Sequence, residues 1–293
     1  MSFKAKKILV MCCEGLYQDH LIDRLDQEFT VCGIVRHRSD TNNTSILSRI
    51  MQHKNLLNFT RHVFTRLKLR KYENTAKPVI SKLFHTRARA VVRNTEAAVI
   101  YTADINKPEV VNFIKQQKPD LICVNGTNLL RQPVLEMIDN IEFGIINLHT
   151  GLSPYSRGGN CNLYMLLEHK PELVGITVHH IDKGIDSGDI IISCRPRFKP
   201  DDNYEIIDAR CFHIGNEAMI QACMQLFSGQ GVRIKQWLDG KLFLKRTGYS
   251  YQPAQRLEVN RLIEKGLIKN YLLNRSKIDQ GIKTVGNFDY PDD

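Results

Sequence analysis

The stretch PEVVNFIKQQKPDLICVNGT, Pro108 to Thr127, decides the fold. Pro108 stands where a helix tolerates proline, in its first turn, and the spacing predicts a helix from Pro108 to Gln117. Asp120-Leu121-Ile122-Cys123-Val124 then reads as a buried strand opening into the loop Asn125-Gly126-Thr127. The same alternation runs outward in both directions. Upstream, Ile8 to Met11 is a continuous apolar run, followed by a Gly-containing turn and by Leu21, Leu25 and Phe29 at helical spacing. Val31 to Val35 and Ala97 to Tyr101 are two further strand-like runs. Downstream, Arg131 to Ile138 reads as a helix and Phe143 to Leu148 as a strand ending at His149. Ile176 to His180 and Ile190 to Ile192 flank the loop DKGIDSGD, and Tyr204 to Phe227 reads as one long helix. The expected class is α/β, an open, mostly parallel twisted sheet with flanking helices and right-handed crossovers. In such sheets ligands bind beyond the carboxyl ends of the strands.

Composition bounds the remainder. The 293 residues suffice for a sizeable core, and 42% hydrophobic with 25% charged residues is the range of ordinary globular chains. The apolar run after Lys6 and Lys7 is too short for a signal peptide, and Glu14 closes it. No stretch approaches the ~18 apolar residues of a spanning helix. Eight cysteines without a C-x-x-C pair match neither a disulfide framework nor a zinc site, and they read as reduced core thiols of a cytoplasmic protein. The net charge of +10 is concentrated: Arg61 to Arg93 holds ten Lys and Arg against Glu73 alone, a net +9. From Ser45 to about Asn94 apolar residues recur three and four apart, as in Leu47, Ile50 and Met51 and then Phe64, Leu67 and Leu69. This is expected to be an amphipathic helical insertion, broken near Pro78, with a basic face that is solvated or else meets a phosphate-bearing substrate or acidic partner. The expected organisation is a catalytic domain over 1–228, carrying the insertion at about 45–94, and a small C-terminal extension over 229–293. Within the extension, Lys241 to Leu244 reads as a short strand and Leu257 to Leu273 as a helix.

Two segments carry chemistry: NLHTGLSPYSRGGN, Asn147 to Asn160, and HHIDKGIDSGDII, His179 to Ile191. Asn147 and His149 are two apart at a strand end, so on a continuing strand they share a face. An amide donor beside an imidazole suits acyl transfer, in which charge develops on a carbonyl oxygen while a proton leaves the attacking amine. Asp186 lies between Gly184 and Gly188 in a loop that permits a close turn, and a carboxylate there orients a histidine or stabilises its protonated form. Taken singly, the three read as a turn residue, a satisfied structural histidine and a turn former. His179 and His180 are adjacent on a strand and face opposite sides, so they do not join His149 in a metal site; His179 reads as structural.

Asn147-x-His149 followed by Ser153-Pro154 and Arg157-Gly158, then Gly175-x-Thr177-x-His179 followed by Asp186-x-Gly188, resembles the signature of the folate-dependent formyltransferases. That group includes glycinamide ribonucleotide, methionyl-tRNA and sugar N-formyltransferases. The resemblance covers about Lys6 to Phe227 and implies a Rossmann-type catalytic domain. It implies 10-formyltetrahydrofolate as formyl donor and no metal. Asn147 would stabilise the oxyanion, His149 would assist proton transfer and Asp186 would support the histidine. The donor would lie along Asn125, Gly126, Thr127, Asn128 and Leu130 and along Asp182, Lys183, Gly184 and Ile185. Ser153, Tyr155, Arg157 and Gly158 are candidates for the acceptor side. Arg157 either holds an anionic group or pins its own loop, and Tyr155 either stacks on a ligand or packs.

The acceptor is narrowed by what stands elsewhere. Cys12-Cys13-Glu14-Gly15-Leu16-Tyr17 is unlike the Gly-rich phosphate turn of the glycinamide ribonucleotide enzymes. The segment after Gly229 is shorter than the C-terminal barrel of methionyl-tRNA formyltransferases, and it resembles the extensions of sugar N-formyltransferases, as does the wording HTGLSP. The expected acceptor is therefore a nucleotide-linked amino sugar for surface polysaccharide, with methionyl-tRNA as the alternative. Hydrolysis of 10-formyltetrahydrofolate, and a nucleic-acid-binding module with a vestigial folate site, rank below both. The latter lacks interleaved aromatics for stacking. A homodimer is expected from the general frequency of symmetric assemblies.

Overall fold

The computed structural model describes residues 3–38, 56–84, 96–286 and 288. A seven-stranded sheet organises them, built from β1 (Lys7–Cys13), β2 (Thr30–His37), β3 (Ala98–Thr102), β4 (Leu121–Asn125), β5 (Ile145–His149), β7 (Ile176–His180) and β8 (Ile190–Cys194). Its order is β3-β2-β1-β4-β5-β7-β8. The pairings from β3 to β5 are parallel, and β7 runs antiparallel to both β5 and β8. The expected open, mostly parallel sheet is thus what the chain forms.

Both faces of the sheet are covered, which is why β1 and β4 are nearly continuous apolar runs rather than alternating ones. Ile8, Val10 and Cys12 join α1 (Leu16–Glu28) and α5 (Tyr204–Phe227) in one core. Leu9 and Met11 point to the other face, where they meet Val110 and Ile114 of α3 (Pro108–Gln117). Helix α3 starts on Pro108 and ends at Lys118, whose left-handed backbone at φ 48° closes the last turn ahead of Pro119. Helix α5 is capped by Asn203, whose side chain accepts from the Ile206 amide at 3.0 Å.

Three expectations are corrected in detail. Arg131 to Ile138 is not a helix; a 3-10 turn covers Leu135–Asn140 instead, because Pro133 lacks an amide hydrogen and restricts Gln132. The insertion contains α2, Leu56–Leu83, which continues through Pro78 without a break. Proline forgoes one backbone bond there, and tertiary packing outweighs that loss: Leu69 and Ala76 are fully buried, and Asn203 donates to the Tyr72 carbonyl at 3.0 Å. The rest of the insertion, with Leu47, Ile50, Met51, Arg87, Arg89 and Arg93, lies outside the described residues. The expected helix Leu257 to Leu273 is two, α6 (Pro253–Glu264) and α7 (Leu267–Ile278), parted by Gly266 at φ 99°. A left-handed residue ends a helix, and glycine adopts that backbone without strain. The expected strand Lys241 to Leu244 is β9, Lys241–Phe243, and it pairs in parallel with β6, Ser156–Gly158, inside the first motif. Between them, α4 covers Cys161–Leu167. No helix among the described residues is long and apolar enough to cross a membrane.

Candidate active site

The parallel strands β1, β4 and β5 end at one edge, and the loops leaving β4 and β5 open there into a cleft of about 310 Å³. Strand β5 delivers Asn147 and His149 to its floor. Antiparallel pairing of β5 with β7 sets His179 directly opposite Asn147. The loop after β7 supplies Asp186, in a left-handed backbone at φ 47°. That conformation belongs to the aspartate and not to the glycines beside it. Gly188 is required for another reason: a Cβ there would stand 1.9 Å from the His180 carbonyl oxygen.

Asp186 connects the group. Its Oδ1 accepts from the Asn147 amide at 3.2 Å and lies 3.5 Å from His179 Nε2. Its Oδ2 accepts from the Gly158 backbone N–H at 2.9 Å and lies 3.5 Å from His149 Nδ1. His179 Nδ1 is 2.8 Å from the His180 carbonyl oxygen, which only accepts, so the ring hydrogen sits on Nδ1. His179 Nε2 then accepts from Asn147 Nδ2 at 3.2 Å, which fixes which way the Asn147 amide points. The same argument assigns His149: its Nε2 is 3.3 Å from the Ser156 carbonyl oxygen, so the neutral ring carries its hydrogen on Nε2 and its lone pair on Nδ1, facing Asp186.

Burial holds the His149 imidazole below its ordinary range, against the pull of Asp186, so the ring is neutral near pH 7. Burial also opposes ionisation of Asp186, but His149, His179 and the Gly158 N–H outweigh it and hold the carboxyl well below the usual carboxylate range. A neutral base beside a fixed carboxylate, with an oriented amide donor, can take a proton at one atom and steady an oxyanion at another.

The structure brings most of the remaining sequence candidates to the same cleft. Asn125, Gly126, Thr127, Asn128 and Leu130 line one wall, and Asp182, Gly184 and Ile185 line another; Lys183 does not. Asp182 shapes its loop by accepting from the Gly184 amide and the Ser187 hydroxyl, both at 2.9 Å. Of the four acceptor-side candidates only Gly158 reaches the cleft. Ser153 is fully buried, its amide donating to Thr177 Oγ1 at 2.8 Å. The Tyr155 hydroxyl accepts from the Lys283 amide at 2.7 Å, and Arg157 pairs with Asp239 at 2.5 Å. His179, expected to be structural, lines the cleft beside Asn147 and Asp186, and sequence reasoning passed over Asn160, Phe212 and Leu244, which line it too. The signal for His179 was its place in the second motif; Phe212 and Leu244 come from α5 and the segment after β9, and no local pattern marks them.

The cleft offers both apolar and polar surface to a ligand. Apolar side chains of Leu129, Leu130, Ile181 and Ile185 offer a wall for a flat ring, and the loop backbones beside them offer amides and carbonyls. No group of three or more His, Cys, Asp or Glu among the described residues is arranged to hold a metal ion.

Comparison with known proteins adds a family. The model described as "Formyl transferase" matches residues 41–223, more than half of the chain. Methionyl-tRNA formyltransferase of Kosmotoga olearia is 31% identical over 150 residues, 51% of this chain and 47% of that protein. The same enzyme of Thermotoga maritima is 27% identical over 149 residues, 50% of this chain and 46% of that one. The match therefore spans about half the length of these curated relatives. Among solved structures, a 4-N formyltransferase from Francisella tularensis superposes with a TM-score of 0.51 at 18% identity, over 82% of this chain and 76% of that one. Phosphoribosylglycinamide formyltransferase from Anaplasma phagocytophilum gives 0.52 at 13%, over 81% and 96%. At these identities the two structures speak to the fold alone.

Proposed function

We propose that this chain, which belongs to the formyl transferase family, moves a formyl group from 10-formyltetrahydrofolate to a substrate amine. The observation that carries the reading is the joint contact of Asn147, His149 and Asp186 at the floor of the cleft. The donor supplies the electrophilic formyl carbon and leaves as tetrahydrofolate. Asn147 turns one amide hydrogen from Asp186 Oδ1 to the formyl oxygen as negative charge grows on it, while His179 holds the other and keeps the amide turned correctly. His149 takes the proton of the attacking amine at Nδ1, and the Asp186 carboxylate stabilises the imidazolium that results. The loops 125–130 and 182–185 hold the donor, with Leu129 as a further wall.

For the acceptor we read an amino group of a nucleotide-linked sugar. The wording His149-Thr150-Gly151-Leu152-Ser153-Pro154 supports it, as does an extension that folds back onto the catalytic loop. A second reading, methionyl-tRNA, is favoured by the identity of the curated relatives and by the exposed basic side chains along α2. Incubation of the protein with 10-formyltetrahydrofolate, a panel of amino-sugar nucleotides and charged initiator tRNA separates them by the product that gains a formyl group. Formylated sugar is expected. Formylated tRNA with no sugar turnover overturns the sugar reading, and release of formate without any acceptor overturns both in favour of hydrolysis.

A further inference from the structure

A second cavity, of about 460 Å³, adjoins the cleft, and Asn160 lines both. It is walled by Tyr17 of α1, by Lys77 of the insertion helix α2, by Tyr204 and Asp208 of α5, and by Tyr251 and Arg256 of the extension. Its walls are held apart by a fixed ion network. Arg256 Nη2 reaches Glu205 at 2.8 Å and Glu73 at 3.3 Å, and Asn260 of the extension donates to Glu205 at 3.0 Å. Behind it, Phe84 packs on Tyr17 at 4.7 Å between ring centroids, and Tyr17 stacks on Phe212 at 4.5 Å. Phe212 also lines the catalytic cleft, so one row of rings backs both spaces.

Two groups in this cavity are left over. The Asp208 carboxyl lines it and makes no hydrogen bond or ion pair among the described residues. The Arg256 Nε is buried and has no hydrogen-bond partner among them either. Burial pushes the Asp208 carboxyl up to about 7, with Arg256 acting against the shift and Glu205 adding to it. Asp208 is partly exposed at the cavity wall, so a ligand entering there can supply its carboxyl with hydrogen-bond donors.

The lining also states what kind of ligand fits. Glu73, Glu205 and Asp208 face Lys77 and Arg256, and Arg256 is already paired with both glutamates, so a phosphate entering here meets an excess of carboxylate. Tyrosine faces receive the C–H side of a sugar ring, and carboxylates accept from its hydroxyl rim. We infer that this cavity receives the hydroxylated ring of the acceptor, with Asp208 accepting hydrogen bonds from its hydroxyl groups while the amine reaches past Asn160 to His149. Any phosphates of the same molecule then lie outside the cavity. This inference rests on the formyl-transfer reading of the neighbouring cleft.

The test uses the full chain, saturating 10-formyltetrahydrofolate and a UDP-linked 4-amino-4,6-dideoxyhexose as the acceptor. Asp208→Asn and, at the exposed mouth, Tyr251→Ala are each expected to raise the acceptor KM by on the order of tenfold or more, with the KM of the donor unmoved. An unchanged acceptor KM in Asp208→Asn, with the melting temperature of the parent, overturns the inference and leaves the formyl-transfer reading standing. Should Asp208→Asn melt early, Tyr251→Ala decides on the same criterion. Turnover of initiator methionyl-tRNA without turnover of the sugar also overturns it. A parent protein that formylates no amine at all sinks the formyl-transfer reading itself, and this inference with it.

Discussion

Asp186 adopts a left-handed backbone, which costs a residue with a Cβ about 1 kcal/mol, and in return its two oxygens reach Asn147, Gly158 and both histidines. Its negative charge favours the imidazolium form of His149, whose pKa burial has already lowered. Replacing it with Asn removes the upward pull and leaves the downward one. The acid limb of the kcat/KM profile, on which the neutral base is lost, is therefore expected to move to lower pH in Asp186→Asn, at a reduced plateau. An acid limb that stays or moves up would contradict this assignment. Asn147→Ala removes the donor to the developing oxyanion and is expected to lower kcat by about 10²–10³-fold with little change in the KM of the donor; steady-state kinetics at saturating acceptor reads it. At this scale the motif spacing made Asn147, His149 and Asp186 legible, because a strand end and a glycine-flanked loop are local patterns. His179 was legible as a motif member but not as the partner of Asn147, since that pairing exists only through the antiparallel register of β5 and β7. Ser153, Tyr155 and Arg157 were drawn toward the ligand by proximity in sequence, whereas their contacts are with Thr177, Lys283 and Asp239.

Helix α2 shows how packing decides an element. Pro78 reads as a break, yet the helix persists because its inner face is buried against α5 and α6. Asn203 ties the two together: one side-chain atom caps α5 and another donates to the Tyr72 carbonyl of α2. Asn203→Ala is expected to cost about 1 kcal/mol or somewhat more in urea unfolding, from the lost cap and the lost tether. Gly158 is a stricter position. It stands at φ 98°, and a Cβ would lie 2.3 Å from the Phe243 carbonyl oxygen, a backbone atom that cannot step aside. Gly158→Ala is expected to open the β6–β9 pairing and withdraw the Gly158 amide from Asp186, lowering both the melting temperature and the transfer rate. A variant with parental activity would show that the amide contact is dispensable. Neither the β6–β9 pair nor Gly266 as a divider of α6 and α7 announces itself in sequence, because three-residue strands carry no period and an isolated glycine inside a helical pattern is often tolerated.

The described residues after Ser228 are tied closely to the main sheet. Ile234 bridges to Ile190 at the edge of the main sheet, and the Ser193 and Val285 backbones bond at 2.9 Å. Phe243 and Ile268 are buried in the same core as the sheet, and Arg195 holds Asp279 through two bonds of 2.7 Å. A chain truncated after Ser228 is therefore expected to lose its near-ultraviolet circular dichroism and to aggregate, because it exposes the apolar surface that those residues cover. A soluble, active truncation would show two separable units. The open, mostly parallel sheet was legible from alternating strands and helices, but its strand order and the return of the chain onto its own first motif were not, since these depend on contacts between segments far apart in sequence. That return bears on how the protein is made. The loop that positions Gly158 beside Asp186 is completed by Lys241–Phe243, so a nascent chain that has already exposed Asn147, His149 and Asp186 outside the ribosome still lacks the strand that finishes its site. Completion of this loop therefore waits for the emergence of Lys241–Phe243, some eighty residues after Gly158.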